Sequence, residues 1–286
     1  MPLPLLDDLV DRISHSSALD KVAEPVASAV QKVVPHGPVK DLLSGTWLGH
    51  PLHPMLTDLA IGSWTSAFVL DLVGGNRSRR ASDSLIGFGV VSALPTAAAG
   101  LSDWSDTYGE DRRIGVVHAI GNVTAVACYS LSYVARRRGR RAQGLTWSFV
   151  GATAATVGGY LGGHLSYRRG VNVNRQAWDH APDDWQIVAD ESVLTGDAPL
   201  VVKAGDVDVL LMRRDGDVFA IADVCTHAGG PLHEGEIDDE NCVTCPWHSS
   251  TFRLADGGVV HGPATAPQPA YDTKVEGGKI SVRPRH

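Results

Sequence analysis

Four side chains near the C-terminal end have the types and spacing to hold metal: Cys225 and His227 in "CTHAGGPL", and Cys245 and His248 in "CPWHSSTF". Thiolate sulfur and imidazole nitrogen together suit zinc or iron. Zinc would take all four as a tetrahedral Cys2His2 site, yet the Cys-x-His gap is narrower than structural zinc prefers. The alternative is a two-iron, two-sulfide cluster, with two thiolates on one iron and two neutral imidazoles on the other. The remaining cysteines read as structural, Cys242 on a strand and Cys128 as a small apolar residue inside a helix. His233 and His261 read as loop residues rather than ligands.

The two loops resemble those of Rieske [2Fe–2S] domains. Seventeen residues separate His227 from Cys245, and "DGGVVHGPA" with its Gly262-Pro263 turn follows, so the resemblance covers roughly Trp185–Val282. It implies that Cys225 and Cys245 bind the inner iron, and His227 and His248 the outer, more exposed one. Quinol-oxidising members carry an extra cysteine in each loop, paired as a disulfide; Gly230 and Trp247 stand there in this chain. They also carry a tyrosine near a cluster cysteine, where Phe252 stands here, while Ser250 matches their cluster-bonding serine. Fewer hydrogen bonds to sulfur imply a lower potential. The loops resemble more closely those of the ferredoxins and of oxygenase electron-entry domains.

The elements that must position these residues fall into a multidomain plan: an N-terminal α-helical membrane bundle of four spans, then a small all-β domain. Residues 1–44 read as amphipathic helices, with Leu5, Leu9 and Ile13, then Val22, Val26, Val30 and Val33, at helical spacing on a surface or membrane-edge pair. Residues 45–174 form the transmembrane domain. Its apolar stretches are roughly Met55–Val73, Leu85–Leu101, Ile114–Ala135 and Leu145–Gly162. Each is long enough to cross ~30 Å of hydrocarbon, and their Gly and Ala suit closely packed helices. Residues 175–184 are a polar linker. Residues 185–286 show short alternating runs punctuated by Asp215-Gly216, Asp256-Gly257 and Gly277-Gly278, the pattern of an antiparallel β domain.

"GHPLHPMLTDLAIGSW", "GVVHAIGN" and "GGHLSYRRGVNVN" resemble three segments of an uncharacterised family of bacterial four-helix membrane domains, over about Gly45–Asn174. That family implies a topology and no assigned activity. Independently of it, His50 and His53 precede the first span, His118 lies early in the third and His164 follows the fourth, so all fall near one membrane face. Ionisable residues at that depth are usually functional. His53, His118 and His164, with Asp58 about one turn below His53, form a candidate site for haem b or proton transfer.

Charge divides the chain. Residues 1–178 hold 13 acidic and 17 basic side chains, and residues 179–286 hold 19 and 8, formal nets of +4 and −11. The acidic β half lacks the basic footprint of a nucleic-acid partner. Its Glu234, Glu236, Asp238, Asp239 and Glu240 would steer a redox protein with a basic surface. Four cysteines are too few for a disulfide scaffold, and Met1–Asp20 shows no cleavable signal. Arg77, Arg79 and Arg80 in one loop, and five arginines among Arg136–Arg141, face the cytoplasm by the positive-inside rule. That makes the chain a multi-pass bacterial cell-membrane protein with the Rieske domain on the outer face; Arg168 and Arg169 weigh mildly the other way. The arginine pairs before "AQGLTWSFVGATAATVGG" also resemble an internal twin-arginine signal, although the usual apolar residues right after the pair are missing.

The function expected is membrane-anchored one-electron transfer through the cluster, coupled to a haem or quinone in the membrane half. Alternatives are a ferredoxin-type donor to a separate oxygenase, and a redox or nitric oxide sensor. Only 38 residues follow His248, too few for an oxygenase catalytic domain, so an electron-transfer protein without catalysis of its own is expected.

Overall fold

The computed structural model describes residues 4–196 and 198–285, with side chains from residue 6 onward. In chain order the helices are α1 (Pro4–Ser14), α2 (Asp20–Val33), α3 (Pro38–Ser44), α4 (Leu52–Val73), α5 (Arg79–Trp104), α6 (Gly109–Arg137) and α7 (Arg141–Gly163). The strands are β1 (Gln186–Asp190), β2 (Leu200–Ala204), β3 (Val207–Arg214), β4 (Asp217–Ala222), β5 (Glu236–Ile237), β6 (Cys242–Thr244), β7 (Thr251–Arg253), β8 (Val259–His261), β9 (Tyr271–Glu276) and β10 (Lys279–Pro284). They fall into two compact units. One holds the chain up to Val34 with Leu52–Val171; the other holds Pro35–Pro51 with the chain from Asn172 onward. The segment Pro35–Pro51, which carries α3, therefore belongs with the β strands although it precedes α4.

In the helical unit α4 packs along α5, and α6 along α7. Many buried positions are small or polar: Ala60, Ser63 and Ala67 on α4, Ser82, Gly89 and Thr96 on α5, Gly144, Ser148 and Gly151 on α7, with a few large residues such as Trp64, Ile86 and Leu161 among them. Large apolar side chains point outward instead, among them Leu59, Phe68, Phe88, Leu94, Val123 and Phe149. A soluble bundle would place them the other way round; this arrangement suits hydrocarbon outside and close helix contact inside. Among the described residues, three helices are long and apolar enough to cross a membrane: Leu52–Val73, Gly75–Trp104 and Gly109–Arg137. The fourth, α7, has comparable length, and its Gly, Ala and Thr dilute its apolar character.

The apolar stripe of the N-terminal pair faces outward. Leu9, Val22, Val26 and Val33 are exposed, and the buried positions are Val10 and Ser14 on α1 and Ala23 and Ala27 on α2. Alanine allows closer helix approach than valine, so the alanine stripe turns inward and the valine stripe outward. Leu5 lies among the residues whose side chains are not described. Arg113 pairs with Asp20 at 2.7 Å and Arg112 with Glu24 at 2.6 Å, pinning α2 to the start of α6. Arg169 is paired with Asp111 and Glu110.

The β unit has three antiparallel sheets, ordered β1-β10-β9, β2-β3-β4 and β5-β6-β7-β8. The expected turns fall where hairpins need them. Asp215 and Gly216 join β3 to β4, and Gly277 and Gly278 join β9 to β10, all with positive φ, the conformation that matches strand twist in two-residue loops. Asp256-Gly257 lies between β7 and β8. One core lies between the first two sheets, around Val209, Leu211, Ala220, Ile280 and Val282. A second, around Leu210, Ile221, Val243, Phe252 and Leu254, includes Cys225 and Cys245 and carries the two loops.

Candidate metal centre

The two loops repeat one backbone turn. Cys225 N–H donates to Gly230 O at 2.8 Å, and Gly229 N–H to Cys225 O at 2.9 Å. Cys245 N–H donates to Ser250 O at 2.8 Å, and Ser249 N–H to Cys245 O at 3.0 Å. Gly229 and Ser249, at the matching position, both have positive φ, +87° and +56°. Each loop thus curls around its cysteine and presents its histidine on the same side.

The two thiols meet. Cys225 and Cys245 are buried and hydrogen-bonded to each other. That bond, followed by burial, raises the Cys225 thiol. The same bond holds Cys245 down at about 7 against burial, helped by the N–H groups of Trp247 and His248. The Cys245 thiol is therefore the one that gives up its proton more readily to a cation. The two imidazoles also meet, edge to face with ring centres 4.9 Å apart. Burial first, then the charges of His248, Lys40 and Arg175, pushes His227 down to about 3, so its imidazole is neutral as a ligand must be.

Among the described residues no three His, Cys, Asp or Glu side chains converge as a single ion requires. The four donors stand as a sulfur pair and a nitrogen pair, which favours two metals bridged by non-protein ligands over tetrahedral zinc. A [2Fe–2S] group fits these residues. Nδ1 of His227 is buried with no hydrogen-bond partner among the described residues, which leaves a lone pair for a metal. Gly230 keeps the site open, because a Cβ there would lie 2.8 Å from Cys245 Sγ and 2.9 Å from Trp247 Cγ.

Around the loops lies a polar frame that sequence spacing did not disclose. Gln268 is buried; its Nε2 donates to Ala222 O and Val224 O at 2.8 and 2.9 Å, and its Oε1 accepts Thr226 N–H at 2.8 Å. Asp223 takes His233 Nδ1–H at 2.6 Å and His233 N–H at 2.8 Å. Ser250 is fully buried, and its Oγ accepts Ala264 N–H at 2.9 Å. Asp41 on α3 accepts Gly262 N–H at 2.7 Å and His261 Nδ1–H at 2.9 Å, and Thr46 donates to Ala264 O at 3.2 Å. Pro35–Pro51 is thus a strap over the turn that contacts Ser250. A buried glutamine between prolines in "APQPA" is the one local signal for this frame; Asp41 carries none, because its partners lie some 220 positions away.

Of the remaining candidates, Cys242 is buried on β6 and paired with Arg253 across the sheet. Glu234, Glu236, Asp238, Asp239 and Glu240 are exposed, and Asp238 also caps the turn through Glu240 N–H and Cys242 N–H. In the helical unit His53 and His118 face each other, with ring centres 6.3 Å apart. Asp58 is exposed on α4 and does not meet His53, whose Nδ1–H donates to Thr96 O. His164 opens a π-helical turn after α7.

Comparison with known proteins agrees with this geometry. The Rieske [2Fe-2S] domain family matches residues 184–272, and a family described as "Predicted membrane protein (DUF2231)" matches residues 49–175. The 3-phenylpropionate/cinnamic acid dioxygenase ferredoxin subunit of Photorhabdus laumondii is 36% identical over 75 residues, which is 26% of this chain and 71% of that protein. Its counterpart in Escherichia coli (strain K12) is 36% identical over 74 residues, 26% of this chain and 70% of that one. Among solved structures, the ferredoxin of carbazole 1,9a-dioxygenase from Nocardioides aromaticivorans is 29% identical, covering 35% of this chain and 98% of that chain with a TM-score of 0.34. The loop geometry, the paired donors, the family matches and the curated relatives agree: the chain belongs to the Rieske [2Fe–2S] family and carries a DUF2231 membrane domain ahead of its Rieske domain.

Proposed function

We propose that this protein is a membrane-anchored one-electron carrier. The [2Fe–2S] group would be held by Cys225 and Cys245 on one iron and by His227 and His248 on the other, with Ser250 hydrogen-bonded to it. When bound, it takes up and releases one electron at a time. The chain's own residues orient the thiols through the paired backbone turns, keep the imidazoles neutral by burial, and brace both loops through Gln268 and the strap. The observation that carries the reading is the meeting of a sulfur pair and a nitrogen pair on two identically built turns. Low-temperature EPR of the reduced full chain tests it. A Rieske-type signal with low average g, lost in His227→Ala and His248→Ala, is expected. Stoichiometric zinc without acid-labile sulfide, in protein made with ample iron, would overturn it.

The helical unit anchors the carrier. We read α7 as a fourth crossing beside the three apolar helices, since it is 23 residues long and turns Phe149, Val150 and Val157 outward. The arginine loops at Gly75–Ser78 and 138–140 support a Rieske domain on the outer face. The exposed acidic run would receive a redox partner with a basic surface. A second redox group in the helical unit, haem or quinone, would make it more than an anchor. The second reading is a ferredoxin-type donor to a separate oxygenase, favoured by the names of the dioxygenase ferredoxin subunits it resembles. Transfer of an electron from the reduced chain to a purified oxygenase component, measured by stopped flow, separates it from exchange with membrane quinone.

A further inference from the structure

The helical unit is built twice. The buried residues Ala60, Ser63, Trp64 and Ala67 of α4 recur 65 positions later as Ala125, Cys128, Tyr129 and Ser132 of α6, all buried. The buried residues of α7, Gly144, Ser148, Gly151, Gly158 and Leu161, each fall 62 positions after a buried residue of α5: Ser82, Ile86, Gly89, Thr96 and Ala99. The contacts repeat as well. The Trp64 ring lies on Gly89 and the Tyr129 ring on Gly151, where an added Cβ would lie 2.3 and 3.1 Å from them. His53 lies on Gly100 and His118 on Gly162 in the same way, at 2.7 and 2.9 Å. Two α-hairpins, α4–α5 and α6–α7, are thus copies of one pattern, running in the same sense about a pseudo-twofold axis. Residues spaced 11 and 7 apart share a helix face, and three counterpart pairs meet across that axis. His53 faces His118 with ring centres 6.3 Å apart. Trp64 stacks on Tyr129 at 4.2 Å. Asp71 binds Arg136 at 2.5 Å.

Of the lower pairs, one is a stacked aromatic pair and the other a buried ion pair within a larger charge cluster. The histidine pair is a different case. His53 Nδ1–H donates to Thr96 O at 2.9 Å, and His118 Nδ1–H to Gly158 O at 2.7 Å, again counterpart positions. A carbonyl can only accept, so both rings keep Nε2 as a lone-pair donor. This is how metal-ligating histidines are oriented. Metal–nitrogen bonds of ~2 Å, with ring centres about 1 Å behind the nitrogens, put two imidazoles on one metal roughly 6 Å apart. We propose that His53 and His118 form a two-imidazole site for one transition-metal centre, as haem iron or as a bare ion, on the axis of a duplicated helical hairpin. It gives the helical unit its own redox group, and it rests on the electron-carrier reading for that group's use, not for its binding. Asn122 Nδ2 donates to His118 Nε2 at 3.0 Å and must turn aside when a metal takes that lone pair. Asp58 takes no part: it and its counterpart Val123 both point outward.

The test uses the purified full chain, titrated separately with haemin, ferrous ion and cupric ion. One equivalent of haemin giving a low-spin, two-imidazole spectrum assigns haem; one equivalent of either ion with haemin unbound assigns a bare metal. In either arm His53→Gln and His118→Gln should each weaken binding by at least about tenfold, and His15→Gln should leave it unchanged. Asn122→Ala, which frees Nε2, should bind at least as tightly. A wild type that binds none of the three overturns the proposal, as does binding that survives loss of either histidine. If a variant fails to fold, judged by loss of its helical far-UV circular dichroism, the wild-type spectrum decides: a high-spin or single-imidazole centre refutes the pair. A wild type without the Rieske signal would sink the carrier reading while the titration still judged the histidines.

Discussion

Ser249 and Gly229 occupy the same place in two like turns, and only one is glycine. An L side chain in the left-handed region costs ~1–2 kcal/mol. Ser249→Gly should therefore be neutral or stabilising by up to about 1 kcal/mol. Gly229→Ala should cost about 1 kcal/mol, since its new Cβ would find Val224 Cγ1 no nearer than 3.8 Å. Thermal loss of the cluster's visible absorption compares them; a large loss for Ser249→Gly would mean that its hydroxyl matters more than its backbone. Phe252 is fully buried in the core that holds both cysteines. With no hydroxyl there and Gly230 in place of a disulfide cysteine, the potential should lie in the lower part of the ~−150 to +300 mV Rieske range. Redox titration measures it, and Phe252→Tyr should raise it. The four candidate donors were legible because the chemistry proposed for them is set by local spacing. Gln268 and Asp41 were not, because their roles arise only when distant segments meet.

Asp41 ties the strap to the turn after β8 by two hydrogen bonds, so its replacement tests what that element contributes. Asp41→Ala deletes the acceptor for Gly262 N–H and His261, a loss of ~1–3 kcal/mol. It should lower the melting temperature of the cluster absorption by several degrees, with Asp41→Asn in between; an unchanged melting curve would show that the strap is fastened elsewhere. The β7–β8 turn gives a pH test. Arg253, then the N–H of Gly258, holds the Asp256 carboxyl below its usual value. The unfolded chain therefore binds the proton first, so this turn's stability is present above about pH 4 and lost as pH falls below it. Asp256→Asn should remove that part of the acid sensitivity in pH-dependent melts. Strands and turns were legible from alternation and Gly-containing pairs. The inward face of α2 was not, since hydrophobicity favours its valines and close packing favours its alanines.

At the scale of the whole molecule, helix existence was legible from apolar length, whereas the hairpin duplication was not. Its counterparts share size and burial more than identity: Trp64 matches Tyr129, and Asp71 matches Arg136. Two of the five loop arginines have structural roles, since Arg136 and Arg141 bind Asp71 and Asp83. Arg137, Arg138 and Arg140 stay exposed, and the proposed orientation and the twin-arginine signal both rest on them. A reporter active only outside the cytoplasm, fused after His286, should be active in normal cells. Loss of activity only without the twin-arginine translocase supports the signal; activity in both strains leaves orientation alone, and activity in neither places the domain inside. The strap adds a rule of parity. Residues 35–51 and the β strands fold as one body, yet the chain between Leu52 and Val171 runs through the bilayer. A chain that leaves a compartment and returns to it crosses the boundary an even number of times. Three crossings would strand Asp41 and Gly262 on opposite sides, so a hydrogen bond 221 positions long favours α7 as the crossing that brings the chain home.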